Sequence, residues 1–294
     1  MPNTSPKSTT IIKVIALLSL VRWYNVLLVG IALILSSLFL LNIDSGASWK
    51  IILSDIQLYY EIIAISFFIQ AGYVINAFYD FEKDIINKPN ETIFGRIISK
   101  RTCINAYVLF VILGLSFSLF LGIRVFMFNF FFSFLLWYYS HRLRKVNFLG
   151  EITASVLTIM PFISLSFLYQ TINSTFILYS GFIFAVTLTR EIIKKMISLK
   201  GDLIVGELSI PIVLGIKKTK YLILFLMSST LLLTVLNLPS ILNSRISYFF
   251  FFSIVLILVS IGFLIKAKTP YHFNKINTLY KILIGFSILS ICMI

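Results

Sequence analysis

Charge is scarce in this chain. Only 12% of its 294 residues are Asp, Glu, Lys or Arg, whereas 59% are apolar. A soluble domain of this length needs a largely polar surface and cannot hide that much apolar side chain. Cysteine and histidine are scarcer, with two of each. Cys103 and Cys292 lie far apart, which excludes a disulfide framework and a Cys-rich metal spacing. His141 and His272 each stand alone in a polar connection, where an imidazole is more often solvated than catalytic. No small-residue cleavage site follows the first apolar run, so no removable signal peptide is expected. Strict apolar/polar alternation is also missing, which argues against a β-barrel.

Long apolar runs recur from end to end, and the mean hydropathy is +0.99. A transmembrane helix needs about 20 apolar residues. That rule predicts nine spans, roughly 24–41, 57–80, 103–122, 124–140, 150–169, 174–193, 219–237, 246–266 and 276–293. The expected fold is all-α, a polytopic membrane bundle. Residues 1–10 are polar with two prolines and read as a disordered start, and residues 11–294 read as a single transmembrane domain. The stretch 11–22 fits a short interfacial helix before the first span.

The net charge is +14. On a soluble protein this balance would point to nucleic acid. On a membrane protein cations hold loops in the cytoplasm. With nine spans and a cytoplasmic N-terminus, all but Lys50, Arg124 and Arg245 of the 25 Lys and Arg fall on the inner side. The sequence therefore predicts an integral membrane protein with its N-terminus cytoplasmic and its C-terminus outside, with the lipid bilayer as partner and no nucleic acid; a bacterial inner (cell) membrane is the expected setting. Two inner connections, about 81–102 and 194–218, are long and polar, and connections of that length usually carry function. They follow the second and sixth spans and share a charged entry and a basic exit, a pattern compatible with internal duplication.

The first of these begins "VINAFYDFEKDIINKPN", residues 74–90. Asn76, Asp80 and Asp84 fall at i, i+4 and i+8, one stripe of an α-helix with about 6 Å between neighbours. Two carboxylates and an amide oxygen at that pitch suit a hard divalent cation; Mg²⁺ takes one or two carboxylates and completes its shell with water and phosphate. The plainer reading is that these charges mark a helix leaving the membrane. Against it, acids number only 11 in the chain, yet three of them lie within five positions, on the side where cations are favoured. Lys88-Pro89 stops the helix. Arg96, Lys100 and Arg101 follow around Gly95 as phosphate ligands or topology signals, and Ser99 or Thr102 is placed to cap the next helix.

The second reads "TREIIKKMISLKGDLIVGELSIPIVLG", residues 189–215. Together the two segments resemble the UbiA-type intramembrane prenyltransferases. Asn76, Asp80 and Asp84 match the family's N-x-x-x-D-x-x-x-D, followed by Asn87, Lys88 and Pro89. Arg22 and Asn25 match its Arg and Asn before the first span. Tyr139, Ser140, Lys145 and Gly150 match a further segment, with Glu151 where Asn is usual. Arg190, Glu191, Lys194, Gly201, Asp202, Gly206 and Pro211 match the last frame. The nearest pattern is that of lipid-ether enzymes acting on geranylgeranylglyceryl phosphate. These read Asp where this chain has Lys195 and Ser198, so the second Asp motif is reduced.

The resemblance implies a helical bundle with a central cavity open to the cytoplasmic side. It implies a Mg²⁺-dependent transferase in isoprenoid lipid synthesis, moving a polyprenyl group from a prenyl diphosphate to a small acceptor. The catalytic residues implied are Asn76, Asp80, Asp84, Lys195 and Asp202, with Asp80, Asp84 and Asp202 as metal ligands. The substrate-binding residues implied are Arg22, Asn25, Lys88, Arg101, Tyr139, Lys145, Arg190, Glu191 and Lys194. Two readings of the degraded motif stand side by side. In one, a single Mg²⁺ suffices and the Lys195 ammonium neutralises diphosphate directly. In the other, the chain has lost catalysis and binds a prenyl lipid. The acceptor is left open between a glyceryl phosphate and an aromatic or quinone precursor. Abundant Phe and Tyr, 29 and 14, offer ring faces for an allylic cation, each worth roughly 0.5–2 kcal/mol, though most such rings fill the bundle or face lipid. A transporter is the main rival, but it would carry its charges in helix centres rather than at helix ends.

Overall fold

The computed structural model describes residues 18–41, 48–87, 99–206, 208–242 and 244–294. All regular structure among them is helical. In chain order the α-helices are α1 (Trp23–Ser36), α2 (Trp49–Ser54), α3 (Ile56–Asn87), α4 (Lys100–Ser118), α5 (Ile123–His141), α6 (Leu149–Tyr169), α7 (Ser174–Val205), α8 (Ile210–Ile241), α9 (Ile246–Lys266) and α10 (Pro270–Ser290). A π-turn, Ser37–Leu41, extends α1. Among the described residues nine helices are long and apolar enough to cross a membrane, all but the short α2. The protein is an integral membrane protein. Large apolar side chains stay exposed along the spans, such as Ile112, Phe225, Leu236 and Ile265, as a surface solvated by lipid requires.

The helices fall into two compact units. The first comprises the chain up to Gly30 with Asp55–His141, and the second Ile31–Ser54 with Arg142–Ile294. In the first, α3 packs along α4 and α5. The approach of α4 is close enough to demand glycine: a Cβ at Gly114 would lie 2.6 Å from the ring of Phe68. That ring is fully buried and meets Phe132 edge to face at 6.1 Å. The thiol of Cys103 packs with Val21 and Val74 and donates to the Val74 carbonyl at 3.4 Å. A polar knot ties the same helices: Asn129 Nδ2 donates to Glu61 Oε2 at 2.9 Å and to Ser118 Oγ at 3.1 Å, all three residues fully buried. Polar side chains join membrane helices well, because the alternative is a polar group in hydrocarbon.

In the second unit α7 packs against α6, α8 and α10, while α9 lies against α8 and α10. Asn173 caps α7 by accepting from the Phe176 N–H at 2.7 Å, and its amide donates to the Leu40 carbonyl at the end of the π-turn at 2.7 Å. The Tyr179 hydroxyl bonds Ser290 Oγ at 2.6 Å and the Ser287 carbonyl. Lys220 Nζ donates to the carbonyls of Ile265 and Ala267, supplying a cation to the end of α9. Cys292 is free and exposed in the final 3₁₀ turn, Ile291–Met293.

One expectation is corrected. Residues 194–218 are not one long loop: α7 runs on to Val205, and helix resumes at Ile210 as the start of α8, which is broken by a kink at Gly215 (φ +78°). Lys, Glu and Met are good helix formers, so a charged exit from the membrane need not unwind the backbone. Gly206 ends α7 in the left-handed conformation, φ +72°. Pro211 occupies the first turn of α8. Likewise α3 continues six residues beyond the expected inner connection's start, to Asn87. Ser99 caps α4 as anticipated, accepting from the Thr102 N–H at 3.2 Å. Residues 1–10, and most of the interfacial stretch 11–22, lie outside the described residues.

Candidate functional site

On α3 the stripe forms as the spacing demands, since 76, 80 and 84 share one continuous helix. Asn76 Oδ1 accepts from Ser140 Oγ at 2.8 Å; Ser140 is 2% exposed in the last turn of α5. Asn76 and Asp80 are half-buried. Asp84 lies on the same helix, but its side chain is outside the described ones, and Lys88 and Arg96 fall outside the described residues altogether.

One turn earlier, Tyr73 gathers the two early polar residues. Asn25 Nδ2 donates to the Tyr73 hydroxyl at 3.0 Å. The Arg22 guanidinium lies 5.3 Å from the centre of the Tyr73 ring, within the range of cation–π attraction. Arg22 has φ +49°, a strained conformation for a residue with a side chain. The chain turns there between the helical residues 18–20 and α1. Tyr79 and His141 bond at 3.1 Å, and the His141 ring stacks on Trp137 at 5.3 Å. Tyr139 is half-buried in α5, and Arg101 is exposed in the first turn of α4.

The second unit carries the other matched residues. Arg190, Glu191, Lys194 and Lys195 fall within two consecutive turns of α7. Glu191 is held by Lys194 Nζ at 2.7 and 2.9 Å and by Arg190 at 3.9 Å. Arg190 Nε also donates to Asn277 Oδ1 at 3.1 Å; Asn277 is 6% exposed on α10. Two turns on, Asp202 is fully buried and accepts from Ser198 Oγ at 3.3 Å. Thus Ser198, the residue that degrades the second Asp motif, supports the carboxylate that remains. Lys145 is exposed in the 3₁₀ turn Leu143–Lys145 before α6. A Cβ at Gly150 would meet the Arg144 carbonyl at 2.9 Å, so glycine lets this turn fold onto the start of α6.

Among the described residues no group of three His, Cys, Asp or Glu gathers to hold a metal. The stripe's donor chemistry, carboxylate and amide oxygen on one helix face, nonetheless fits a hard cation that takes its other ligands from phosphate.

The sequence profile of the UbiA prenyltransferase family matches residues 52–287. The chain belongs to the UbiA prenyltransferase family. This member is a membrane prenyltransferase. It is 30% identical over 219 residues to the digeranylgeranylglyceryl phosphate synthase of Korarchaeum cryptofilum, covering 73% of this chain and 77% of that protein. It is 33% identical over 207 residues to the same-named synthase of Methanosphaera stadtmanae, covering 68% and 71%. A solved structure of a digeranylgeranylglyceryl phosphate synthase superposes with a TM-score of 0.69 at 24% identity, over 95% of this chain and 97% of the other. A UbiA homolog from Archaeoglobus fulgidus, bound to GPP and Mg²⁺, superposes with a TM-score of 0.64 at 16% identity, over 94% and 99%. The nine-span helical fold of the UbiA family is thus the fold of this chain.

Asn277 was not singled out from sequence. Its signal was an amide at the edge of an otherwise apolar predicted span, 276–293. In the sequence Tyr73 is one aromatic among many, and nothing there marks Asn25 and Arg22 as its partners.

Proposed function

We propose that this UbiA prenyltransferase joins a geranylgeranyl group to a glyceryl phosphate that already carries one, forming a second ether. The supporting observation is that relatives 30% and 33% identical, matched over more than two thirds of their length, are digeranylgeranylglyceryl phosphate synthases. In the reaction the C1–O bond of the prenyl diphosphate breaks and diphosphate leaves. The glycerol hydroxyl oxygen forms the new C–O bond, and its proton passes to the medium.

Asp80 and Asp84, with Asp202, are the proposed Mg²⁺ ligands, and Asn76 assists them. Bound Mg²⁺ would neutralise the charge that develops on the departing diphosphate. Ser140 fixes the rotamer of Asn76 and so presents one lone pair of its amide oxygen. Arg22, Arg101, Lys88, Lys145, Arg190 and Lys194 are proposed as cations for phosphate groups, and Lys195 as a fixed cation for the diphosphate. Tyr73 holds Arg22 and Asn25, Tyr139 offers a ring face, and Glu191 braces Arg190 and Lys194. The charge asymmetry of the loops supports a cytoplasmic N-terminus and an outer C-terminus in the cell membrane. The quoted relatives come from archaea, so an archaeal cell membrane fits this reading as well as a bacterial one.

The test supplies membranes containing the protein with labelled geranylgeranyl diphosphate, Mg²⁺ and a panel of acceptors. Label is expected in the glyceryl phosphate ether. Transfer only to an aromatic acid would overturn the acceptor, and no transfer to any acceptor would overturn the reaction.

A further inference from the structure

The face that α7 leaves uncovered continues well past its charged residues. Asp202, Ser198, Lys195 and Glu191 recur at steps of four, three and four, which places them on one stripe of the helix. The same alternation runs on toward the N-terminal end of α7 through Leu188, Phe184, Gly181 and Ile177. Steps averaging 3.5 residues drift by only about 20° in every seven, so the stripe stays on one side of the helix. The opposite side, marked by Phe182, Val186, Thr189 and Ile193, is at most 8% exposed. Along the stripe, by contrast, Leu188 and Phe184 are half-buried, Gly181 is exposed and Ile177 is 62% exposed. One helix face thus carries charge at one end and an open apolar stretch at the other.

Gly181 is the odd residue of that stretch. A glycine inside a helix is costly, because it gives up the most backbone freedom and covers nothing. At Gly114 and Gly150 close packing explains it, since a Cβ would strike the Phe68 ring or the Arg144 carbonyl. At Gly181 a Cβ would meet nothing within 4 Å, and the backbone there is ordinary helix. What glycine provides at this point is room. The depth of that room is informative. Gly181 lies about 14 residues from Lys194 and Lys195, or about 20 Å along the helix axis. Three bonds of an extended chain cover at most about 3.5 Å, so the sixteen-carbon backbone of a geranylgeranyl group reaches about 19 Å. A farnesyl group, one isoprene unit shorter, stops about 5 Å earlier, level with Phe184.

We propose that Gly181 is a specificity-determining residue: the prenyl chain lies along the apolar stripe of α7, and the space at Gly181 admits its fourth isoprene unit. This rests on the prenyl-transfer reading, in which the charged turns of α7 serve the diphosphate. With the diphosphate held at that end, its hydrocarbon follows the apolar continuation of the same face. Leu188 and Phe184 pack on the earlier units, and burying the last unit against the open stretch adds apolar contact that a shorter chain does not reach. A large side chain at 181 would occupy the place of the last unit and leave the others untouched.

Full-length wild type, Gly181→Ala, Gly181→Leu, Gly181→Phe and Gly262→Phe would be titrated in lipid nanodiscs. The probes are the thiolodiphosphates of geranyl, farnesyl and geranylgeranyl with Mg²⁺, analogues that resist transfer, and binding is read by calorimetry. In wild type the affinity should rise with each isoprene unit. Gly181→Phe should lower the ratio of geranylgeranyl to farnesyl affinity about tenfold, with a smaller fall in Gly181→Leu and the least in Gly181→Ala. Gly262→Phe sets the same ring at an equally open glycine of α9 and should keep the wild-type ratio. The graded series decides even if phenylalanine at 181 prevents folding. A wild-type ratio in Gly181→Leu and Gly181→Phe, an equal loss for every chain length, or the same fall in Gly262→Phe would overturn the proposal. Transfer of labelled prenyl groups from the parent diphosphates to a glyceryl phosphate is measured on the same samples. A shifted ratio with no transfer by wild type would leave Gly181 as the discriminating residue and remove the proposed reaction; no binding of any analogue by wild type would overturn both.

Discussion

Asp80 is the residue on which the proposed chemistry turns. It is half-buried on the stripe that Asn76 opens, and Asn76 is held by Ser140. Asp80→Asn keeps the shape and removes the charge that a Mg²⁺–diphosphate complex needs. Transfer should fall by roughly 10²–10³-fold at saturating Mg²⁺, with the circular dichroism unchanged; unimpaired turnover would show that the stripe does not serve the metal. Asn277 acts at one remove. Its amide oxygen accepts from Arg190 Nε at 3.1 Å, a hydrogen bond to a charged donor. Asn277→Leu leaves Arg190 to Glu191 alone, and the KM for prenyl diphosphate should rise about tenfold. If kcat fell instead with KM unchanged, Arg190 would be serving the reacting centre rather than binding.

At the level of the helix, the end of α7 sets where its charged turns stop. Gly206 adopts φ +72° as the C-cap, with its N–H to the Asp202 and Leu203 carbonyls. Gly206→Ala forces a Cβ into the left-handed region and should destabilise the protein by about 1 kcal/mol, read as a lowered melting temperature in detergent. The site's framework was legible in sequence wherever its logic is local. The i, i+4, i+8 stripe, the Ser99 cap and the apolar lengths of the spans depend only on neighbours along the chain. The length of α7 was not legible, because lysines at 194, 195 and 200 and a glycine at 201 look like a loop while the backbone tolerates them in a helix. The bonds between Ser140 and Asn76, Asn25 and Tyr73, and Asn277 and Arg190 each join residues more than 40 positions apart. Periodicity carries no information about such partners.

The molecule as a whole stands on apolar packing, knots such as Glu61–Asn129–Ser118 and glycine-dependent contacts like Gly114 on Phe68. None of these involves a cation, so a chelator should separate fold from function. EDTA should stop transfer, Mg²⁺ should restore it, and the helical content should be constant throughout; loss of helix on chelation would give the metal a structural role. The two sulfurs of the chain have unequal fates in this architecture. Cys103 is sealed against Val74 at 1% exposure, whereas Cys292 stands open two residues from the C-terminal end. A bulky, membrane-impermeant maleimide added to whole cells therefore meets a single reactive thiol, and the native polypeptide carries its own reporter of sidedness. Modification without lysis is expected for an outward C-terminus, and protection until the cells are opened would turn the whole bundle upside down.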